Sequence, residues 1–281
     1  MKELIDKLEE RPSVSGHVSP NDAMDYTGLE SYFHTGQSAL EWIRLAMLAA
    51  RKQEIDSILD FACGHGRVLR TLKGAFPDAT LAACDIDEDA VDFCRENFDA
   101  TPIIGRERPE EIEIGQDFDL IWCGSLFTHL SAPRWGGFLK LLESCLRPGG
   151  LLLFSTHGRI YADRLKAGHW KFLTDEQTEK ILAGYDEGGF GYCDYVPDRK
   201  NPRLHDSLAV NWGMAVAAPS WVHGQLEQDV PELRLLLYME RAWPHNMPTA
   251  QDVLAMQKDS SRLHEESATR PGGTSAPARA S

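Results

Sequence analysis

Glycine and acidic residues that could bind a ligand follow the first apolar run of the chain. Asp60 comes directly after Ile58-Leu59, and Gly64 and Gly66 follow it closely. Glycine has no Cβ, so the backbone at these positions can turn tightly and approach a ligand. The helix expected over residues 66–75 would direct its first N–H groups at whatever lies over the loop. This spacing predicts a strand, a ligand-binding loop and a helix.

A second acidic residue, Asp85, ends the next predicted strand and is a candidate for binding the sugar of a nucleoside. Its carboxylate can accept hydrogen bonds from both ribose hydroxyls, and such bonds are worth about 1.5–3 kcal/mol each. Ile86 beside it offers an apolar surface for an adenine ring. An acidic residue after a strand is often only a helix N-cap, but Asp87 fits that structural role better.

The loop departs from the dinucleotide-binding pattern in two places. That pattern needs a third glycine three residues after the second, where this chain has Leu69. Asp60 would also repel a pyrophosphate close to the loop, whereas a cofactor with an ammonium and a sulfonium group would not be repelled. The sequence therefore disfavours NAD, and a nicotinamide-dependent enzyme is the least favoured function.

Charge and composition exclude further classes of function. The 281 residues carry a net charge of −14, which argues against a nucleic-acid partner, because phosphate contacts need a basic surface. No run of about 20 apolar residues occurs, so we expect no membrane-spanning helix. The six cysteines are scattered without zinc-site spacing. Cys63, Cys84 and Cys123 fall at predicted strand ends, where we expect buried thiols, which fits a reducing cytoplasm, and we expect no bound metal.

Strand and helix signals alternate along the first part of the chain. The alternation implies an α/β fold with a parallel sheet covered on both faces, which binds ligands beyond the carboxyl ends of its strands. The predicted strands lie near 56–61, 80–85, 102–104, 118–123 and 151–156, and the predicted helices near 37–52, 66–75, 88–97 and 134–146.

The second part of the chain is less regular. A long segment at about 157–230 separates the fifth strand from two final strands predicted at 233–240 and 251–257, and we interpret it as an insert that covers the cleft. Within it we predict a helix that begins after Thr174, a loop at 185–195 and an extended segment at 207–217. The expected domains are an N-terminal segment and helix at 1–54, a main domain at 55–258 and a disordered tail at 259–281.

These motifs together resemble the class I S-adenosylmethionine-dependent methyltransferases. The stretch Ile58–Asp87 is similar to the first two motifs of that family, Phe118–Cys123 to its fourth strand, and Leu146–Phe154 to the turn into its fifth strand. The resemblance covers about residues 55–157. It implies a Rossmann-like, doubly wound sheet of seven strands, mostly parallel with an antiparallel last strand. It also implies S-adenosylmethionine as the cofactor.

The resemblance assigns roles to individual residues. Asp60 would orient the amino group of the cofactor, the Ala62–Gly66 backbone would face its amino-acid moiety, and Asp85 would hold its ribose. The segment Tyr32–Gly36 is a candidate to fold over the cofactor. The residues expected at the cofactor are Asp60, Ala62, Gly64, Gly66, Arg67, Asp85, Ile86, Cys123 and Gly124.

The methyl acceptor is indicated less directly. Methyl transfer is an in-line displacement in which the protein mainly aligns the nucleophile, and a base helps when the acceptor is a hydroxyl. His129, after the fourth strand, is the candidate catalytic base, and His157, after the fifth, is a weaker one; each could instead be structural. Methyltransferases for planar amino groups carry an Asp/Asn/Ser-Pro-Pro-aromatic motif where this chain has Cys123-Gly124-Ser125-Leu126. Methylation of DNA bases or glutamine is therefore disfavoured.

The sequence favours a metal-independent enzyme that methylates a small-molecule or saccharide hydroxyl. Aromatic residues of the insert, among them Tyr192, Tyr195, Trp212 and Trp221, are candidate contacts for such an acceptor, although the two tryptophans could equally belong to the core. Two alternatives stay open: a non-catalytic protein that binds the cofactor, and an aminopropyl transferase on the same fold. The oligomeric state is not indicated.

Overall fold

A computed structural model describes residues 10–22, 24, 28–169, 173–195, 212–245 and 247–259. The helices are α1 (Leu29–Ala50), α2 (Leu69–Ala75), α3 (Glu88–Phe98), α4 (Ala132–Ser144), α5 (Arg159–Lys166), α6 (Asp175–Gly188) and α7 (Pro219–Asp229). The strands are β1 (Ser57–Phe61), β2 (Thr80–Asp85), β3 (Thr101–Ile104), β4 (Phe118–Cys123), β5 (Leu146–Thr156), β6 (Phe190–Asp194), β7 (Gly213–Ala217), β8 (Leu233–Trp243) and β9 (Gln251–Lys258).

In the part of the chain that is described, seven strands form one sheet in the order β3-β2-β1-β4-β5-β9-β8. The first five strands pair in parallel, whereas β9 runs antiparallel to both β5 and β8. The predicted doubly wound sheet with an antiparallel last strand is therefore confirmed. The strand order reverses between β1 and β4, and this switch point is where open α/β sheets bind their ligands.

Helices cover both faces of the sheet, so its central strands are apolar and buried. Every residue of β1 and of β4 is buried, as expected for parallel strands with helices on each side. Successive side chains of β1 enter different layers: Leu59 joins the cluster that contains Trp135 of α4, and Ile58 joins the one that contains Ile43 of α1. The tight packing on both faces holds the carboxyl ends of β1 and β4 in a fixed relation.

The segment between β5 and β8 contributes a small second sheet, in which β6 and β7 pair antiparallel. Strand β7 also bonds to the segments that follow β4 and β5 of the main sheet. The amide of Ala215 donates to the carbonyl of Thr128 at 2.8 Å, and that of Ala217 donates to the carbonyl of His157 at 2.8 Å. The insert therefore lies against the carboxyl ends of β4 and β5. The division into domains at 54 and 258 stays a prediction.

Some predicted boundaries are wrong. Helix α1 begins at Leu29 and not near 37, and α2 begins at Leu69 and not at 66, where Gly66 takes a left-handed backbone with φ 73°. The stretch 185–195, predicted as a loop, is the end of α6 followed by β6. The cap at Thr174 is confirmed: its side chain accepts a hydrogen bond from the amide of Gln177.

Other predictions fall partly or wholly outside the described residues. Of the extended segment at 207–217, only 212–217 is described, and it contains β7. Residues 260–281 of the expected tail are likewise not described. The six cysteines are described and are buried free thiols, which was predicted for Cys63, Cys84 and Cys123. No helix among the described residues combines the length and the apolar character needed to cross a membrane.

Candidate active site

The loop after β1 adopts a left-handed backbone at three positions: Ala62 (φ 60°), Gly64 (φ 50°) and Gly66 (φ 73°). At Gly66 a Cβ would lie 2.5 Å from Cε2 of Phe98, so only glycine fits. At Gly64 a Cβ would meet nothing within 4 Å, and the backbone conformation alone favours glycine there. Ala62 is a non-glycine residue in a conformation that costs energy, and such strain is concentrated at ligand sites.

Asp85 ties this loop to the end of β2. Its Oδ2 accepts the amide N–H of Gly64 at 2.7 Å, and its Oδ1 accepts that of Asp87 at 3.0 Å. Burial raises the pKa of Asp85, and these two bonds oppose the rise. Because each carboxylate oxygen can accept more than one hydrogen bond, Asp85 keeps capacity for ligand hydroxyls. Next to it, the side chain of Ile86 is 44% exposed.

Asp87 has the structural role that its position predicts. Its side chain accepts hydrogen bonds from the amides of Asp89 and Ala90, in the first turn of α3. The two acidic residues at the end of β2 are therefore divided between two tasks: Asp85 anchors the glycine loop, and Asp87 caps the helix.

A cavity of about 40 Å³ lies between the glycine loop and the ends of β1 and β4. Asp60 forms part of its wall and is 2% exposed. Its Oδ2 has no hydrogen-bond partner in the described part of the chain. Burial, and after it the negative charge of Asp85, raise the pKa of Asp60 to about 8, while a bond from the amide of Leu69 opposes the rise. A buried carboxylate oxygen without a partner is costly, and a cationic ligand group would satisfy it.

Two tryptophans form the aromatic wall of this cavity. The rings of Trp122 and Trp243 meet edge to face with centroids 5.1 Å apart, and Nε1 of Trp243 donates to the carbonyl of Thr35 at 2.9 Å. Gly124 leaves room beside them, since a Cβ there would lie 2.9 Å from Trp122 Nε1 and 2.9 Å from Trp243 Cη2. Aromatic faces attract cations, so this wall also suits a positively charged group.

The structure brings several of the residues predicted at the cofactor to one place. Asp60, Ala62, Arg67 and Gly124 line the cavity. Asp85, which precedes Ile86, is joined to the glycine loop through the amide of Gly64. Cys123 differs, because its thiol is fully buried in the core cluster on one face of the sheet, whereas the cavity-lining Trp122 and Trp243 belong to the cluster on the other face. Cys63 also lines the cavity, within the Ala62–Gly66 backbone that was predicted to face the ligand, whereas Val68, Trp122 and Trp243 are lining residues that the sequence analysis did not predict.

The missed residues differ in how visible they are in the sequence. Trp122 directly precedes the predicted Cys123 and Gly124, so its place at a strand end was a usable signal. Trp243 comes from the far end of β8 and reaches the cavity only through the fold. No local motif marks it.

Two histidines stand at the carboxyl ends of β4 and β5, and β7 holds both. Nδ1 of His129 lies 2.9 Å from the carbonyl oxygen of Gly213, and Nδ1 of His157 lies 3.0 Å from that of Ala215. A carbonyl only accepts, so each Nδ1 carries the proton and Nε2 of the neutral ring is an acceptor. Burial lowers the pKa of His129 to about 4 and that of His157 well below its usual value.

Neither histidine is among the described residues that line the cavity. The ring of His129 stacks on Trp212 with centroids 4.6 Å apart, and its Nδ1 is 3.3 Å from the hydroxyl of Tyr195. Sheet and insert therefore meet at this histidine. Within the described residues, no group of three or more His, Cys, Asp or Glu side chains is arranged to hold a metal ion.

Known proteins are similar to the part of the chain that builds this site. A family model described as a methyltransferase domain matches residues 58–150. A malonyl-(acyl-carrier protein) O-methyltransferase from Acetivibrio thermocellus is 30% identical over 138 residues, which are 49% of this chain and 47% of that protein. A fatty-acid O-methyltransferase from Mycolicibacterium smegmatis is 26% identical over 149 residues, 52% of this chain and 49% of that protein. The chain thus spans about half the length of these curated relatives.

Solved structures extend the likeness to the whole fold. The crystal structure of a S-adenosylmethionine-dependent methyltransferase from Clostridium acetobutylicum superposes with a TM-score of 0.52 at 14% identity. The match covers 81% of this chain and 92% of that one, and at this identity it concerns the fold alone. Residues 58–150 thus match a methyltransferase domain, and the seven-stranded sheet that contains them has the fold of that S-adenosylmethionine-dependent methyltransferase.

Proposed function

We propose that this chain is an enzyme that transfers a methyl group from S-adenosylmethionine to a small-molecule acceptor. The observation that carries the proposal is the Oδ2 atom of Asp60, which is buried and has no partner in the described residues, in the wall of a cavity beside the glycine loop. The ammonium group of the cofactor's amino-acid moiety is a partner of the right charge for this carboxylate.

The other residues around the loop fit the remaining parts of the cofactor. The Ala62–Gly66 backbone would face the amino-acid moiety, and Asp85 would accept the ribose hydroxyls. The exposed side chain of Ile86 would pack on the adenine. The described cavity, about 40 Å³, is far smaller than the roughly 300–1,000 Å³ of a typical ligand pocket. We therefore assign it to the amino-acid end alone, with the nucleoside outside the cavity, beside Asp85 and the exposed Ile86.

When bound, S-adenosylmethionine supplies an electrophilic methyl group on a sulfonium centre. The residues of the chain bind the cofactor and orient it. Asp60 binds the charged end, Asp85 fixes the nucleoside, and the Trp122–Trp243 wall keeps water away from the buried side of the cavity. Such positioning is the main contribution a protein makes to a displacement reaction.

We propose an oxygen atom of a small molecule as the acceptor, with a hydroxyl of a saccharide as one candidate class. Both reported curated relatives are named as O-methyltransferases, which supports oxygen. Among the aromatic residues of the insert, Tyr195 and Trp212 lie at His129 and could contact the acceptor. Trp221 packs against Trp135 in the core, so it is structural.

His129 is the proposed general base for a hydroxyl acceptor. Its pKa of about 4 keeps the ring neutral near pH 7. The bond from Nδ1 to the Gly213 carbonyl orients the ring and leaves the lone pair of Nε2 to take a proton. The stack on Trp212 limits rotation of the imidazole, so the accepting nitrogen has a defined direction.

Isothermal titration with S-adenosylhomocysteine tests the cofactor assignment. We expect micromolar binding, which corresponds to about −8 kcal/mol. Absence of binding, with the fold intact by circular dichroism, would contradict the proposal. If the protein binds, labelled methyl donor is then offered with a panel of hydroxyl and carboxyl acceptors. Binding without turnover on any acceptor would favour a non-catalytic cofactor-binding protein, and turnover of the decarboxylated cofactor with a polyamine would favour an aminopropyl transferase.

A further inference from the structure

A buried arginine lies behind the glycine loop. Arg70, on α2, is 1% exposed. Its Nε donates to the carbonyl of Gly66 at 3.1 Å, and its Nη2 donates to the carbonyl of His65 at 3.3 Å. These two carbonyls belong to the last residues of the loop, so one guanidinium holds the loop at its exit into the helix.

The same guanidinium holds the N-terminal arm, which we define as residues 10–22. Nη1 donates to the carbonyls of Ser15 at 3.1 Å and His17 at 2.8 Å, and Nη2 donates also to the Tyr32 hydroxyl at 3.1 Å. All five guanidinium N–H groups thus have an acceptor. Tyr32 in turn donates to Oδ2 of Asp22 at 2.6 Å. The arm therefore supplies both backbone acceptors and, through Tyr32, a negative charge.

Peptide geometry connects these bonds to the ligand side of the loop. In a planar trans peptide unit the carbonyl of one residue and the N–H of the next point in opposite directions. With the Gly66 carbonyl held on Arg70, the N–H of Arg67 is turned away from it. Arg67 lines the cavity. The same carbonyl of Gly66 accepts the backbone amide of Arg70 at 3.1 Å, and the guanidinium adds a second bond that stabilises this orientation of the peptide without lining the cavity itself.

A second bridge joins the same two segments. Oδ2 of Asp89 lies 2.9 Å from Nε2 of His65 in the loop and accepts a bond from Nδ2 of Asn21 in the arm at 3.0 Å. The side chain of Asp89 is 59% exposed, so this bridge stabilises the contact between loop and arm less than the buried guanidinium does. Loop and arm are nevertheless joined at two separate places.

We propose that Arg70 is a positioning residue that makes docking of the N-terminal arm and binding of the cofactor depend on each other. The inference rests on the proposed function, because it treats the glycine loop as the cofactor loop. Coupling between two equilibria is reciprocal. Arm docking that orders the loop must strengthen cofactor binding, and the bound cofactor must stabilise the docked arm by the same factor.

The first test compares the wild type with Arg70→Lys by titration with S-adenosylhomocysteine. Lysine keeps the positive charge, but its single ammonium group cannot donate to the loop and the arm at once as the planar guanidinium does. We expect affinity to fall by about tenfold, the order expected for the loss of one charge-assisted hydrogen bond. Arg44→Lys is the control, since Arg44 is 7% exposed and donates to the carbonyl of Glu10 at the other end of the arm. It should change affinity by less than about twofold.

The second test measures the coupling, which a merely structural role would not produce. Hydrogen–deuterium exchange in peptides over residues 10–22 is followed with and without S-adenosylhomocysteine. We expect the ligand to slow exchange of the arm in the wild type and in Arg44→Lys, but to have little effect in Arg70→Lys. If Arg70→Lys fails to fold, Tyr32→Phe replaces it, because it removes the link to Asp22 and should weaken the coupling in the same direction.

The outcomes separate this inference from the proposed function. A wild type that does not bind S-adenosylhomocysteine overturns both. A wild type that binds, together with an Arg70→Lys variant of equal affinity, overturns the positioning role alone. Ligand binding to the wild type that leaves exchange of the arm unchanged overturns the coupling.

Discussion

Asp60 and Asp85 lie near the carboxyl ends of two adjacent parallel strands, and the negative charge of Asp85 adds to burial in raising the pKa of Asp60 to about 8. The unfolded carboxyl ionises near pH 3.9. Because the folded-state pKa is the higher one, this group favours the folded state at low pH, and its contribution is lost as the pH rises from about 4 to 8. A cationic ligand opposes this loss of stability, because it pairs with the ionised form of Asp60.

Cofactor binding should therefore release a proton from Asp60. Below pH 8 the unliganded carboxyl is mostly protonated, and only its ionised form pairs with an ammonium group. The affinity for S-adenosylhomocysteine is expected to rise between pH 6.5 and 8, by at most about tenfold per pH unit. Calorimetry at four pH values, in buffers of different ionisation enthalpy, measures both the affinity and the proton release. Asp60→Asn should bind more weakly and lose the pH dependence; a pH-independent wild type would contradict the assignment.

Replacement of Asp85 should weaken cofactor binding strongly. We expect Asp85→Ala to cost about 2–4 kcal/mol, the loss of two charge-assisted bonds to the ribose, and it also removes the acceptor of the Gly64 amide. Asp87→Ala is a matched control two residues away, since it removes only the helix cap. It should lower the free energy of unfolding by about 1 kcal/mol and leave affinity unchanged. Equal affinities for the two variants would show that Asp85 does not hold the ribose.

A methyl group added at Gly124 should reduce ligand binding by narrowing the cavity. The new Cβ would lie 2.9 Å from both Trp122 and Trp243, so the rings must shift, and overpacking of this kind costs about 1–3 kcal/mol. Gly124→Ala should weaken S-adenosylhomocysteine binding by about tenfold or more. Gly224→Ala on α7, where a Cβ meets nothing within 4 Å, is the control. It should keep full affinity and gain about 1 kcal/mol of stability from helix propensity. Unchanged binding in Gly124→Ala would place the ligand elsewhere.

If His129 is the base, its replacement should slow the chemical step and spare cofactor binding. With the first hydroxyl acceptor that turns over, we expect His129→Gln to lower the rate of labelled-methyl transfer by about 10²–10⁴-fold. The pKa of about 4 means that His129 causes no loss of rate in the wild type between pH 8 and pH 5. His157→Gln, on the next strand, is the comparison and should have a smaller effect. A rate unchanged in His129→Gln would exclude the base role.

A large part of the site could be predicted from the sequence, because it depends on interactions between residues that are close together in the chain. Gly64 and Gly66 are needed for backbone angles and contacts that few other residues allow, and Asp87 caps the helix that directly follows it. The alternation of apolar strands and amphipathic helices indicated the parallel sheet, because the central strands β1 and β4 are buried on both faces. Constraints of this kind act over a few residues, so they leave a pattern in the chain.

The sequence by itself determined the sheet, the glycine loop and the acidic residues at the strand ends, since these depend on neighbours in the chain. Only the tertiary structure decided which distant side chains complete the site. Trp243 reaches the cavity from β8, the Gly213 carbonyl of β7 orients the ring of His129, and Arg70 donates to the arm at Ser15. The raised pKa of Asp60 likewise requires burial and the nearby charge of Asp85. Such contacts join segments far apart in sequence, and their energy comes from packing and desolvation that no local motif encodes.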